Sequence, residues 1–338
     1  MEIVEIEATN LCNTACIHCP REALTRPMGK MSWEVFRRVA DQALAHDGLQ
    51  AVSFSGIGEP TLNPLLPRFI GYLSGNVATV LTTNASTLTD RKTGELLEAG
   101  LENIIISVNG HNQDLYESMM GGLSFEKVDK RIQHFVEAAD GRVKVSANVS
   151  ISRQTEPHLA DIRGYLAGVG IHNVMFSQCH SRGGHLLAPA VCDTPPPPSN
   201  GRCDIFASTL FVAWNGQALA CCHDLAAQGV IGDLVADDWG EILRERNRIL
   251  DQGVRFPICR GCNDMYRFDK DSLPGDTPLS EWLYDLYAKK DERAEKLRAE
   301  LAEKDVHIQE LEDLVAAYER GRFIRLMRWL SDLRRRIG

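Results

Sequence analysis

Three cysteines packed into eight residues constrain this chain more than any other feature. Cys12, Cys16 and Cys19 are spaced C-x3-C-x2-C in the stretch Asn10–Arg21, directly after the apolar run Ile3–Ile6. Thiolates so close in sequence can wrap one corner of an iron–sulfur cube. A [4Fe–4S] cube has four irons, so three local cysteines leave one iron open to bind something else. A structural zinc site is the alternative, with His18 as its fourth ligand. Zinc, however, prefers four protein ligands in paired CxxC-type spacing.

Short β-rich runs alternate with helical patterns through the first ~180 residues. Strands are expected at Glu2–Ala8, Ala51–Ser55, Thr79–Thr83, Asn103–Val108, Val143–Ser150 and Asn173–Ser177. Amphipathic helices are expected at Trp33–Ala45, Leu65–Leu73, Thr93–Ala99, Phe125–Ala138 and His158–Ala167. Such alternation predicts an α/β fold with a parallel sheet and right-handed crossovers. Six units predict a partial (β/α)6 TIM-like barrel over residues 1–190, with ligands gathered at the C-terminal strand ends.

A second region opens with the stiff linker Pro195–Pro198 and carries Cys203, Cys221, Cys259 and Cys262, giving an expected small Cys-rich domain over 191–278. Leu283, Tyr287, Lys290, Ala294, Leu297, Leu301, Lys304, Ile308, Leu311, Val315 and Tyr318 then recur at spacings of four and three, which predicts a C-terminal coiled-coil helix over 279–318. Its partner would be a second copy or another coil. Residues 319–338 form an arginine-rich amphipathic tail, suited to an anionic membrane surface or to an acidic protein face.

Bulk composition narrows the class. The chain has 338 residues, 44% hydrophobic and 25% charged, so two domains plus an appendage fit its size. Its net charge of −9 argues against nucleic acid as the main partner of the folded body. No charged-then-apolar leader opens the chain, and no run approaches 18 apolar residues. Ten cysteines without a leader point to metal ligation, and oxygen-sensitive clusters favour a reducing cytoplasm. Peripheral contact at the inner membrane face, through the tail, is the expected exception.

One βα unit after the triplet, Gly56-Ile57-Gly58-Glu59-Pro60 follows the second strand. Glycines at a strand end let backbone approach a ligand, and a fixed carboxylate accepts a hydrogen bond from an ammonium. Triplet, preceding strand and GIGEP together resemble the radical S-adenosylmethionine (SAM) superfamily. That resemblance implies a [4Fe–4S] cluster on Cys12, Cys16 and Cys19, whose open iron chelates the SAM amino and carboxylate groups. It implies reductive cleavage of SAM to a 5′-deoxyadenosyl radical, fed by a protein reductant such as flavodoxin or ferredoxin. Gly56, Gly58, Glu59 and Pro60 would cradle the SAM amino group, with Ile57 standing where the family has a further glycine. Thr83, Asn84, Ser107, Asn109 and, more weakly, Ser146 and Asn148 would reach the ribose and methionine carboxylate. Arg153, Arg21 and Arg26 would meet the SAM carboxylate or substrate.

The C-x17-C spacing of Cys203 and Cys221, with Gly216 five residues before Cys221 and a later C-x2-C, resembles the SPASM/twitch type with one auxiliary cluster. Four ligands saturate a cube, giving an auxiliary [4Fe–4S] cluster for electrons; a four-cysteine zinc module is the alternative. Cys222 is either a packed small hydrophobe or a hydrogen-atom donor, and the same choice applies to Cys179 and Cys192, read as free. His180, Arg182, His185, His223 and Asp224 are candidates for handling substrate protons. The single auxiliary site resembles that of 2-deoxy-scyllo-inosamine dehydrogenase. The expectation is therefore oxidation of a sugar or cyclitol alcohol. Thiol-mediated epimerisation, peptide modification of the sulfatase-maturase kind, and a non-enzymatic zinc scaffold are the alternatives.

Overall fold

A computed structural model describes residues 2–186, 188, 190–192, 203–264, 329–330 and 332–336. Six parallel strands, β1 (Ile3–Ile6), β2 (Ala51–Phe54), β3 (Ala78–Thr83), β4 (Asn103–Ser107), β5 (Lys144–Ile151) and β6 (Asn173–Gln178), pair in sequential order. Helices fill the crossovers: α1 (Trp33–Leu44), α2 (Leu66–Leu73), α3 (Asp90–Glu98), α4 (Gln113–Met119), α5 (Phe125–Ala139) and α6 (Leu159–Gly168). This is the expected TIM-like α/β arrangement, with α4 as an additional helix. Side-chain caps set several helix starts: Ser32 accepts from Val35 N–H, Thr89 from Lys92 N–H and Asn112 from Leu115 N–H.

The strands alternate, and their two faces differ in kind. Val4, Ile6, Val52, Phe54, Leu81, Ile104, Ile106, Ala147, Val149, Val174 and Phe176 join one buried cluster with the apolar stripes of all six helices. Phe36 and Phe69 stack within it at 4.1 Å between ring centroids. Helices therefore cover one side, and the strand residues between face inward. Register sets these in rows: Glu5 beside Ser53 and Val80; Thr82 beside Ile105, Ser146 and Asn173; Ser107 beside Asn148 and Met175. Hydroxyls, amides and a carboxylate thus line the inner face.

The Cys-rich segment extends the same sheet. β7 (Thr209–Val212) pairs parallel to β1, β8 (Gln217–Leu219) antiparallel to β7, and β9 (Val230–Asp233) antiparallel to β8. α7 (Asp204–Ser208) precedes β7, and α8 (Trp239–Gln252) follows β9 behind a reciprocal Asp238–Glu241 capping box. Barrel and Cys-rich residues belong to one compact unit, Met1–Glu281; Trp282–Gly338 is a second. The proline linker, the heptad seam and most of the arginine-rich tail lie outside the described residues. In the tail, 329–330 and 332–336 are helical, and Trp329, Leu330 and Leu333 are exposed. Among the described residues no helix is long and apolar enough to cross a membrane.

Candidate active site

Cys12, Cys16 and Cys19 are half-buried in the loop after β1. A short two-strand ladder, Ala15–Cys16 against Met120–Gly121, holds the loop, and Thr14 Oγ1 donates to the Gly121 carbonyl at 2.9 Å. Burial pushes the Cys16 thiol up to about 12, and Cys12 and Cys19 are also raised by burial. Protonated apo thiols are the expected result, so ligation would release protons. Arg21 bears on Cys12 and Cys19, and Arg182 on Cys19, each favouring thiolate. His18 is buried, lowered to about 4 first by burial and then by Arg182, and so is neutral near pH 7. Its Nε2 lies 3.5 Å from Asn109 Nδ2.

The GIGEP segment packs directly on this loop. A Cβ on Gly58 would meet the Thr9 carbonyl oxygen at 2.1 Å, so only glycine fits. Glu59 N–H donates to the Leu11 carbonyl at 2.8 Å. The buried Glu59 carboxylate gathers Thr61 Oγ1 (2.5 Å), Thr83 Oγ1 (2.7 Å) and Asn84 N–H (2.7 Å). Burial nevertheless raises its proton affinity, because these neutral donors offset desolvation only in part. Pro60 is buried at the start of a short 3-10 turn. Asn84 Nδ2 donates to Asn13 Oδ1 at 3.1 Å, and Asn13 Nδ2 to Ser86 Oγ at 2.8 Å. Gly58, Glu59, Thr83 and Asn84 therefore form one wall with the cysteine loop, and Gly56 lies against the Glu7 side chain.

Other expected residues fall elsewhere. Asn109 is buried and occupied, accepting from Ser150 N–H at 2.7 Å and donating to Met120 Sδ at 3.2 Å. Ser146 Oγ accepts from Asn173 Nδ2, and Asn148 Oδ1 from Ser177 Oγ, both on the inner face. Arg153 is exposed after β5, its backbone N–H on the Val191 carbonyl. Arg26, expected near SAM, is instead committed: Nη1 and Nη2 donate to Glu7 at 2.8 and 2.9 Å, and Nε to the Asp224 carbonyl at 3.0 Å. Asp224 is likewise structural, its carboxylate accepting from Gln228 and Gly229 N–H. Cys179 and Cys192, expected to be free, are joined in a disulfide. Seven cysteines in the two candidate ligand sets and two in this bridge leave Cys222 of the ten.

Cys203, Cys221, Cys259 and Cys262 line a single cavity with Phe206, Phe256, Ile258 and Val254. The four thiols act electrostatically on one another around Cys221. Four sulfurs turned into an apolar-walled cavity fit a fully coordinated cluster. His223 and Asp264 line it too. Asp264 Oδ2 lies 3.2 Å from His223 Nε2 and 3.5 Å from His180 Nε2, all buried. His180 Nδ1 accepts from Arg182 N–H at 3.2 Å, so neutral His180 carries its proton on Nε2, toward Asp264. Burial lowers both imidazoles, His180 to about 3. Burial also opposes the Asp264 charge, but the imidazole donors outweigh it and hold this carboxyl well below its ordinary range.

The loop after β6 is clipped onto the C-x2-C turn. Ser181 N–H donates to Asn263 Oδ1 and Ser181 Oγ to the Gly261 carbonyl, each at 2.6 Å. A Cβ on Gly261 would come within 2.8 Å of Gly184 Cα. Arg182 sits in this loop with a positive φ of 49°. Its charge reaches Cys19 and His18 on one side and Glu5, Cys222, His223 and Asp264 on the other. Sequence reasoning passed over Glu5, Glu7, Asn13, Ser55 and Asp264. Glu5 and Glu7 carried a signal, two acids at strand spacing inside an apolar run.

Residues 6–162 match the radical SAM superfamily, and residues 203–263 match an iron–sulfur cluster-binding domain of the SPASM type. Residues 6–162 are a radical SAM domain, followed by a SPASM-type one. The two matches place a SAM-binding [4Fe–4S] cluster in the first segment and an auxiliary iron–sulfur cluster in the second. The chain is 24% identical over 182 residues to a tungsten-containing aldehyde ferredoxin oxidoreductase cofactor-modifying protein of Pyrococcus furiosus, over 52% of this chain and 51% of that protein. It is 28% identical over 163 residues to an AdoMet-dependent heme synthase of Oleidesulfovibrio alaskensis, over 47% and 41%. The chain thus spans about half the length, or less, of these curated relatives.

Among solved structures, BtrN in complex with AdoMet and 2-DOIA aligns with TM-score 0.56 and 20% identity over 78% of this chain and 94% of that one. Streptococcus suis SuiB bound to precursor peptide SuiA aligns with TM-score 0.60 and 14% identity, over 77% and 70%. At these identities the likeness is one of fold.

Proposed function

We propose that this protein is a radical SAM oxidoreductase that takes a hydrogen atom from a small polar substrate, a sugar or cyclitol alcohol, and oxidises it. The supporting observation is the inner face of the barrel, where Glu5, Ser53, Thr82, Ser107, Ser146, Asn148 and Ser177 outnumber the apolar Val80, Ile105 and Met175 in the same rows. Such a surface hydrogen-bonds a polyol and leaves an apolar ligand poorly solvated. That this chain spans nearly all of BtrN, solved with AdoMet and 2-DOIA, supports the same reading.

When bound, SAM and its cluster supply the 5′-deoxyadenosyl radical, and the auxiliary cluster supplies a one-electron acceptor. Cys12, Cys16 and Cys19 would hold the first cluster; Cys203, Cys221, Cys259 and Cys262 the second. Glu59 would accept from the SAM ammonium, with Gly56 and Gly58 giving it room and Asn84 steering the adjoining wall. A small protein of the flavodoxin or ferredoxin kind would deliver electrons. Arg182 would orient polar substrate groups between the two sites, and Arg153 lies too exposed to anchor this reading.

Radical epimerisation is the second reading. It is favoured by Cys222, whose thiol acts on the Glu5 carboxylate and lies 3.8 Å from His223 Nδ1. SuiB with its precursor peptide supports a peptide substrate as a third. Anaerobic turnover of carbinol-deuterated hexoses and cyclitols tests all three. The proposal expects deuterium in 5′-deoxyadenosine together with a ketone, and an undiminished yield from Cys222→Ala. A configuration-inverted alcohol, lost in Cys222→Ala, would replace oxidation by epimerisation. Deuterium transfer from peptides alone would overturn the small-substrate assignment.

A further inference from the structure

Two carboxylates stand two residues apart on β1 and its extension, in unlike surroundings. Glu7 is saturated by the buried, bidentate Arg26, whose guanidinium is itself pinned by the Asp224 carbonyl. Glu5 has a different set of neighbours. Its Oε1 accepts from Ser55 Oγ at 2.5 Å, and the nearby Cys222 thiol favours its charged form. The groups facing it are Glu7 from its own strand, Ser55 after β2, Cys222 after β8 and Arg182 after β6. Burial first, and then the Glu7 charge, raise its proton affinity beyond what Ser55, Cys222 and Arg182 take back. Glu7 is thus held in a buried ion pair, while Glu5 holds a proton more readily than an ordinary glutamate.

We propose that Glu5 is the catalytic base of this barrel, the carboxylate that takes the hydroxyl proton of the substrate alcohol as its carbonyl forms. The assignment rests on the alcohol-oxidation reading and deepens it. The carbinol C–H bond breaks homolytically and its hydrogen atom passes to the 5′-deoxyadenosyl radical. One further electron would leave to the auxiliary iron–sulfur cluster that Cys203, Cys221, Cys259 and Cys262 would hold. The O–H bond gives its proton to a Glu5 oxygen, and the C–O bond becomes double. Glu5 suits the task better than its rivals. Glu7 is neutralised by Arg26, and the imidazoles of His180 and His223 are engaged with Asp264. Glu5 is also the least buried of the four side chains.

The test combines a spectroscopic and a kinetic arm on the full reconstituted chain. Infrared difference spectra between wild type and Glu5→Gln, followed across pH, isolate the Glu5 carboxyl band. The band is expected to remain protonated above the ordinary glutamate value of about 4.3. Ser55→Ala removes a donor to the charged form, so it should move the band's titration higher still. With a carbinol-deuterated cyclitol or hexose, Glu5→Gln should form ketone at least about a hundredfold more slowly. It should still pass deuterium to 5′-deoxyadenosine and keep its iron. Titration of Glu5 at or below the ordinary value overturns the assignment, as does ketone formation by Glu5→Gln at the wild-type rate. Wild type that transfers no deuterium from any alcohol sinks the oxidation reading and this role together, whereas normal transfer with an unimpaired Glu5→Gln sinks this role alone.

Discussion

Arg26→Met would strand Glu7 as a buried charge just past the C-terminal end of β1, and losing one partner of a buried pair costs about 3–5 kcal/mol. Glu7→Gln with Arg26→Met removes both charges and should be more stable than Arg26→Met alone. Chemical denaturation of the three proteins measures this; a double variant no better than the single would contradict a neutralising role. Acid sensitivity is a second consequence at this scale. His180 titrates near 6.5 when exposed and at about 3 when folded, so between those values the unfolded chain binds a proton that the folded chain does not. Stability from this residue is present above about 6.5 and falls as pH drops toward 3, by about 1.4 kcal/mol per unit. Urea midpoints should fall across that window, and less steeply in His180→Gln. An identical slope in the variant would contradict the assignment.

At the scale of elements, the turn after β2 is a packing device as much as a ligand site. Gly58→Ala should cost about 3 kcal/mol through overpacking against Thr9 and Leu11, and should displace the cysteine loop. Iron retention after gel filtration and thermal melting measure it; full retention with an unshifted melt would contradict the contact. Much of this layer was legible in advance. Strand alternation is a period-two signal and the helices a 3.6-period one, so six βα units and the placement of GIGEP beside Cys12–Cys19 could be read directly. The short α4 lacks a long enough stripe to register. What Arg26 binds, and that Cys179 meets Cys192, depends on pairings across 19 and 13 residues that no local period encodes. The fate of Glu5 was hidden for a related reason. An acid inside an apolar strand reads as an interruption until the register places Ser55, Cys222 and Arg182 around it.

At the scale of the whole molecule, the sheet runs without a break from β6 through β1 into β7, β8 and β9, which couples the two cysteine sets mechanically. Composition suggested a separate module and held no sign of the β1–β7 pairing. Beyond residue 281 the chain forms its own unit, and we propose that its heptads and arginines recruit a coiled-coil partner or an anionic surface. Deleting the residues after Pro278 should alter sedimentation or binding to phosphatidylserine vesicles while sparing SAM cleavage. Unchanged sedimentation and vesicle binding would contradict it.

Two cysteine-held clusters, one with an open iron, are what iron and sulfide stoichiometry after anaerobic reconstitution would reveal. With four irons to each cube, the wild type should hold about eight per chain, and Cys12→Ala/Cys16→Ala/Cys19→Ala about four with no SAM cleavage. Wild type with about four irons, or a triple variant that still cleaves SAM, would contradict that assignment.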